Sequence, residues 1–409
     1  MRVRIMAVVM MVTLSATLVL GSEVDRLLDK LIEKGILTEG EAYKIREEAA
    51  DEARKREASA KADTDKIPGW IKNTSFKGDA RIRYEFQDRE GKSDRNRARL
   101  RFRWGFDTDV NENLKAGFRV ATGDSTQASS ANQTFTNSFD DKPIWLDRAY
   151  IFYSPNKNIS LAGGKIPNPF FNTNLVWSGD LNPEGIILQA HLPVPGDLFA
   201  AAGYLPLYEM KDDTDDPYML GFQAGYAGQA TGMKFKAAVS YYHFESLKGV
   251  KAEDLSPSFS NQGNTLAGGN YAYDYRLLNF TGEIVPFTIP LGENGLPLKL
   301  YADYVKNLAD GVDDNEGYLL GIKLGSSKKK NTWEIGYDYR QIEADSVTDF
   351  MTDGSFCGGG TDSKGHTIGI KYAPSDNSTL GVTYIIAEAL GKNKKSDINT
   401  LQVDFGVAF

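Results

Sequence analysis

The 409-residue chain has one cysteine, Cys357, and only three histidines. A single thiol excludes an intramolecular disulfide framework and any cysteine-rich zinc site. His191, His243 and His366 are far apart in sequence and leave little room for a histidine-based metal centre. No cofactor or metal is therefore expected. Basic excess is lacking too: 47 Lys and Arg face 55 Asp and Glu, a formal net charge of -8, which argues against nucleic acid as a partner. Beyond residue 21 no apolar run approaches the roughly 18 residues of a membrane-crossing helix. With 41% hydrophobic residues, composition taken alone suggests an ordinary soluble protein.

The N-terminus carries the one long apolar run. Arg2 and Arg4 precede an almost wholly apolar stretch, 5–20, and then Gly21. This is the pattern of a cleaved signal peptide over 1–21, and no cysteine follows that could carry a lipid. Val24, Leu27, Leu28, Leu31 and Ile32 then fall on one helical stripe. Gly35 stands at a C-cap position, and Thr38 with Glu41 forms a capping box for a second, charge-rich helix. The reading is a periplasmic helical segment over 22–60 and a linker over 61–73. Two short helices cannot bury the first stripe alone, so self-association or a partner is expected; a partly ordered tether is the alternative.

From 74 to 409 the period is two. Phe76, Gly78, Ala80, Ile82, Tyr84 and Phe86 alternate with Lys77, Asp79, Arg81, Arg83 and Glu85. Ala98, Leu100, Phe102, Trp104 and Phe106 then alternate with Arg97, Arg99, Arg101, Arg103 and Gly105. Comparable stretches recur to the C-terminus, giving an all-β chain of about 16 strands, with short turns and long loops taking turns between them. The long connections fall at 123–142, 167–183, 207–217, 246–269, 308–316 and 343–364, with one long turn expected at 286–296. Short turns at one end and long loops at the other describe a transmembrane antiparallel β-barrel of the outer membrane.

A soluble β-sandwich also alternates. An arginine on the lipid side of a barrel costs about 2–4 kcal/mol at the midplane, so the four from Arg97 to Arg103 cost up to about 8–16. That rivals a whole domain's stability of about 5–15 kcal/mol, and these arginines must face water. The sandwich would not also explain the secretion signal, the aromatic strand ends, the loop asymmetry and the terminal Phe409.

Several stretches resemble the putative-porin family of Gram-negative outer membranes. They include Arg97-Ala-Arg-Leu-Arg-Phe-Arg103, Leu146-Asp-Arg-Ala-Tyr150, Gly164-Lys-Ile-Pro-Asn-Pro169 and Trp177-Ser-Gly-Asp-Leu-Asn-Pro-Glu-Gly185, with Tyr337-Asp-Tyr-Arg-Gln-Ile-Glu-Ala-Asp345 and Gly358-Gly-Gly-Thr-Asp-Ser-Lys-Gly365 further on. The resemblance implies a short helical segment before one large barrel and a passive pore, without a defined substrate. The last strand ends in Phe409, as bacterial barrel-insertion signals do, which implies recognition by the barrel-assembly machinery. Outer-membrane lipid, small hydrophilic solutes or ions and further copies of the chain, as a trimer, are the expected partners.

The lumen is then the functional surface. Arg81, Arg83, Arg97, Arg99, Arg101, Arg103, Lys115 and Arg119 are expected to form a basic pore lining that biases which ions enter; the plain alternative is that they pair with acids such as Asp79 and Glu85. The loop holding Phe170, Phe171 and Trp177 is too apolar for free solvation. As in other porins it is expected to fold inward as a constriction, with Asp180 and Glu184 opposite the arginines. A structural barrel anchored through its helices and a barrel hydrolase are the competing functions; the hydrolase needs an acid–base group around a histidine, which no sequence motif supplies.

Overall fold

The computed structural model describes residues 26–65, 68–211, 215–256, 262–292, 294–392 and 396–409. The expected signal peptide lies outside the described residues. The chain divides into two compact units, Met1–Thr74 and Ser75–Phe409.

In the first unit, helix α1 spans 26–33, α2 spans Glu39–Asp65 and α3 spans Gly69–Lys72. Gly35 takes the left-handed conformation, φ +68°, that ends α1. The capping box forms: Thr38 N–H donates to Glu41 Oε2 at 2.9 Å, and Glu41 N–H donates to Thr38 Oγ1 at 3.3 Å. Leu28 and Ala42 are buried, while Leu27 and Tyr43 stay exposed. Helix α2 runs on through Asp65, into the stretch read as a linker, where Lys61 and Ala62 are good helix formers.

The second unit is a closed antiparallel barrel of 16 strands. They are β1 Thr74–Arg89, β2 Arg95–Asp109, β3 Leu114–Thr122, β4 Ile144–Asn156, β5 Ile159–Lys165, β6 Glu184–Leu192, β7 Asp197–Pro206 and β8 Tyr218–Ala230, then β9 Met233–Glu245, β10 Arg276–Ile289, β11 Leu296–Asn307, β12 Glu316–Gly325, β13 Thr332–Ile342, β14 Ser363–Ala373, β15 Ser378–Ala389 and β16 Ile398–Ala408. Neighbours in sequence are neighbours in the sheet, and β1 pairs with β16 from Asp79↔Ala408 to Arg89↔Ile398. Closure leaves no open edge, the condition for a sheet in lipid. Closure also explains Gly78, whose N–H donates to the Phe409 carbonyl at 2.8 Å. A Cβ on Gly78 would lie 2.4 Å from the Phe409 ring, so the terminal aromatic seats only over glycine.

The connection expected as the long turn at 286–296 is a correction. Strand β10 continues to Ile289 through a bulge between Ile284 and Phe287, leaving 290–295 as the turn. Pro286, which lacks an N–H, falls inside that bulge, where no ladder bond is missed.

Parity along the strands gives the wall two faces. Ile82, Ile151, Ile186, Phe222 and Leu320 point outward and are exposed, forming the apolar band. Inward residues differ around the circumference. Toward the loop end of β8 and β9 they are apolar or neutral, among them Met219, Gly221, Gln223, Ser240, Tyr242 and Phe244, and all of these are buried. On β1 and β2 they are the arginines. The hydrophobic core therefore lies inside the barrel and to one side, where Phe170, Leu175, Trp177, Leu247, Tyr271 and Val347 from long loops cover the apolar inner wall.

Candidate functional site

Three loops enter the lumen. The first, 166–183, crosses it. At one end Phe170 and Trp177 stack at 5.7 Å, and both meet Tyr242 of β9 edge-on, at 5.3 and 5.8 Å. Gly221 of β8 makes room: a Cβ there would lie 2.7 Å from Phe170 Cζ. Gln223 clamps the Phe171 backbone, accepting from its N–H at 2.7 Å and donating to its carbonyl at 2.8 Å. Thr173 Oγ1 donates to Asp303 Oδ2 at 2.7 Å. At the other end Asp180 reaches β2, with Oδ1 3.2 Å from Arg103 and 3.6 Å from Arg101. Phe170 and Trp177 are thus buried anchors, and Asp180 is the loop's contact with the arginine wall.

The other two loops, 246–275 and 343–362, lock together. Asn264 Nδ2 donates to the carbonyls of Ala344 and Val347 at 2.6 and 2.8 Å, and Thr265 binds Asp345 through its N–H and hydroxyl at 2.9 and 2.6 Å. Burial first, and the adjacent carboxylates next, push the phenols of Tyr271 and Tyr275 well above their usual range. Both stay protonated and donate, Tyr271 to Asp349 at 2.8 Å and Tyr275 to Asp345 at 2.9 Å. Cys357, in the second of these loops, packs with Phe356, Ile385 and Ala387.

Space remains along β1 and β2 toward the loop end and along β10–β16 toward the turn end. A cavity of about 570 Å³ at the loop end is lined by eight arginines and Lys92 but only three aspartates, Asp124, Asp180 and Asp353. A second, of about 440 Å³ toward the turn end, has Lys299, Lys323, Arg340 and Lys371 against Glu283, Glu334, Asp338 and Asp353. Asn174 of the first loop and Asp353 and Ser355 of the third line both cavities, and these residues mark where the two meet. Arg340, buried on β13, supports them: it sits 3.3 Å from Asp353 and 4.4 Å over the Phe356 ring.

The arginines form a paired network. Arg83 grips Asp404 with two bonds, at 2.7 and 2.8 Å. Asp79 takes Arg101 at 2.9 Å and Arg103 at 2.8 Å, while Glu85 takes Arg97 and, at 3.4 Å, Arg99. Arg81 lies 3.9 Å from Asp404 and also donates to Asn132. Six guanidinium groups thus share Asp79, Glu85, Asp180 and Asp404, and positive charge remains in excess. Above them Arg89, Lys92 and Arg95 line the same cavity with no carboxylate in ion-pair reach among the described residues. The arginine side chains lie on the inner face and are largely covered, Arg83 being buried, and they pair with Asp79 and Glu85, the arrangement weighed above as the plain alternative.

Three expectations need correction. Glu184 does not face the arginines. It shares the outward face of β6 with the exposed Ile186 and Leu188 and pairs with Lys165 at 2.7 Å at the loop-end rim; strand parity, which starts at Glu184 itself, sends it out. Asp180 is in contact with the arginines and does not oppose them across open space. Lys115 and Arg119 point inward but lie outside the arginine cavity: Lys115 pairs with Asp109 at 3.1 Å, and Arg119 pairs with Asp147. Phe171 lines the turn-end cavity. The lysines of that cavity, with Arg340 and Asp353, were missed; strand parity on β11, β12 and β14 was the available signal.

The histidines are dispersed. His191 lies 3.1 Å from Asp197, His243 is 2.8 Å from Glu245 and His366 is 2.9 Å from the Tyr337 hydroxyl. None of these contacts includes a serine, so they do not assemble a nucleophile with its base.

Comparison with known proteins follows the same line. The sequence matches the family described as putative porin over residues 87–275 and 269–409. A comparison with curated proteins gives no match. Among solved structures, the chain is similar to OprB of Pseudomonas putida at high pH, with 12% identity and a TM-score of 0.56, covering 83% of this chain and 95% of that one. It is also similar to OmpF of Salmonella typhi in complex with daunomycin, with 12% identity and a TM-score of 0.50, covering 82% and 97%. At such identities the likeness speaks to the barrel fold. The two matched segments overlap and carry the match from Gln87 to Phe409, so this chain, an outer-membrane porin-type barrel, belongs to the putative porin family.

Proposed function

We propose that the protein lets small hydrophilic solutes or ions diffuse passively across the outer membrane, along a path that passes the arginine wall at its loop end. The observation that carries this reading is the pair of polar cavities, one toward each end of the barrel, that share Asn174, Asp353 and Ser355 as lining. A polar path of this kind keeps its charged groups hydrated, and the loops at the junction limit solute size while the charges bias ion entry. In this reading residues 1–21 direct export and are removed, and lipid surrounds the outward apolar band. Phe409 is the feature recognised by the barrel-assembly machinery. Residues 22–60 lie in the periplasm, joined to the barrel through 61–73, and three copies associate.

Purified protein reconstituted into liposomes should let small sugars and amino acids enter, so that the vesicles swell. A barrel that only anchors the helical segment would give neither swelling nor conductance, and that outcome would end the reading. Hydrolysis of phospholipid or peptide by the same preparation would favour a barrel enzyme instead.

A further inference from the structure

We infer that the loop-end cavity is a saturable site for small organic anions carrying two or more carboxylates. The inference deepens the porin reading and takes its solute class from the chemistry of the wall.

Charge is the first argument. The loop-end cavity is strongly basic, whereas the turn-end cavity balances four basic residues with four acidic ones. A concave, one-sign surface concentrates ions of the opposite sign, so the bias toward anions falls at one end of the path. Its unneutralised part is at the mouth, where Arg89, Lys92 and Arg95 have no carboxylate in ion-pair reach among the described residues.

The second argument is what the wall already holds. Arg83 takes Asp404 in the two-bond geometry of a guanidinium and a carboxylate. Arg101 and Arg103 hold Asp180, a carboxylate brought in by the 166–183 loop. The wall is therefore a carboxylate-binding surface, and one of its places is filled by the chain's own side chain.

Spacing sets the valence. Arg97, Arg99, Arg101 and Arg103 are alternate residues of one strand, so their side chains repeat about every 7 Å. A ligand with two or three carboxylates can bridge successive arginines, while a compact ion engages one position. The rest of the lining suits a hydroxylated acid. Gln87, Gln127, Asn132 and Gln262 offer amides, Ser129 and Ser130 offer hydroxyls, and Ile398 is the one large apolar side chain lining it.

The test is calorimetric titration of citrate into detergent-solubilised wild-type protein, beside the double variant Arg95→Ser, Lys92→Ser and the single variant Asp180→Asn. Saturable one-to-one binding is expected. The double variant at the mouth, whose strands stay intact, should bind about tenfold more weakly, since each lost charge-assisted contact is a substantial part of the affinity. Asp180→Asn should bind more tightly because the competing carboxylate is gone. Inorganic sulfate, a compact dianion, should bind at least about tenfold more weakly than citrate. No saturable citrate binding, equal affinity in the double variant, or sulfate binding as tight as citrate would each overturn the inference. Calorimetry reads binding whether or not the barrel conducts. Flux without citrate binding would overturn this inference alone, and citrate binding without flux would overturn only the porin reading.

Discussion

Replacing both Phe170 and Trp177 with alanine should raise single-channel conductance severalfold. Both rings are buried, stack on each other and meet Tyr242 edge-on, and truncating a buried aromatic costs about 3–5 kcal/mol. Besides the smaller aliphatic pair Leu175 and Val176, what would still hold the 166–183 loop near that wall is mainly the Gln223 clamp and the Thr173–Asp303 bond. Hydrogen bonds of this kind contribute about 0.5–1.5 kcal/mol each, net. The hydrophobic anchor outweighs them, so without it the loop should leave the inner wall and the path should widen. Gly221→Leu should act in the same direction by a different route, since any Cβ there meets the Phe170 ring. The heat-modifiable gel mobility of a folded barrel separates this effect from misfolding. Folded double variant with wild-type conductance would mean that this loop does not narrow the path.

Replacing Arg99 and Arg101 with serine should move ion preference strongly toward cations. The six paired arginines share four carboxylates, so removing two of them cancels the excess within this network and leaves Glu85 and Asp79 with one arginine fewer each. A unit charge about 4 Å from a permeating ion in water is worth about 1 kcal/mol. Two such charges come to about 2 kcal/mol, favourable for an anion and unfavourable for a cation, an upper limit of about thirtyfold in the passage of each. Reversal potentials in a salt gradient read this directly. An unchanged ratio would remove the arginine wall from any role in selectivity.

Some of this architecture was legible in the amino-acid order and some was not, for physical reasons. The run from Arg97 to Arg103 announces itself because four charges on one face of a strand have only one tolerable direction in a membrane. Asp180 was placed near the arginines on the strength of an apolar loop that had to be buried somewhere. Glu184, four residues later, went wrong because the loop ends there and the outward parity of β6 takes over. The interlock of 246–275 with 343–362 was hidden by distance: Asn264 meets residues 80 and 83 positions away, and no local pattern encodes that. A clue was nevertheless present in β8 and β9, where Met219, Gly221, Tyr242 and Phe244 make the inward face as apolar as the outward one. A water-filled lumen does not tolerate such a face, so loops had to cover it. The same inner wall explains why the path runs to one side of the barrel and not down its axis.

The most direct test of that geometry is accessibility of single cysteines, in a Cys357→Ala background, to a charged thiol reagent during current recording. Arg99→Cys lies on the open side, and Ser240→Cys sits on the inner face of β9, where the serine is buried and bonded to Gln223 at 2.8 Å. The expected result is rapid modification at position 99 with a fall in current, and no reaction at position 240. Reaction at 240 at a comparable rate, or modification at 99 that leaves the current unchanged, would contradict a path that passes the arginine wall and avoids the inner face of β8 and β9.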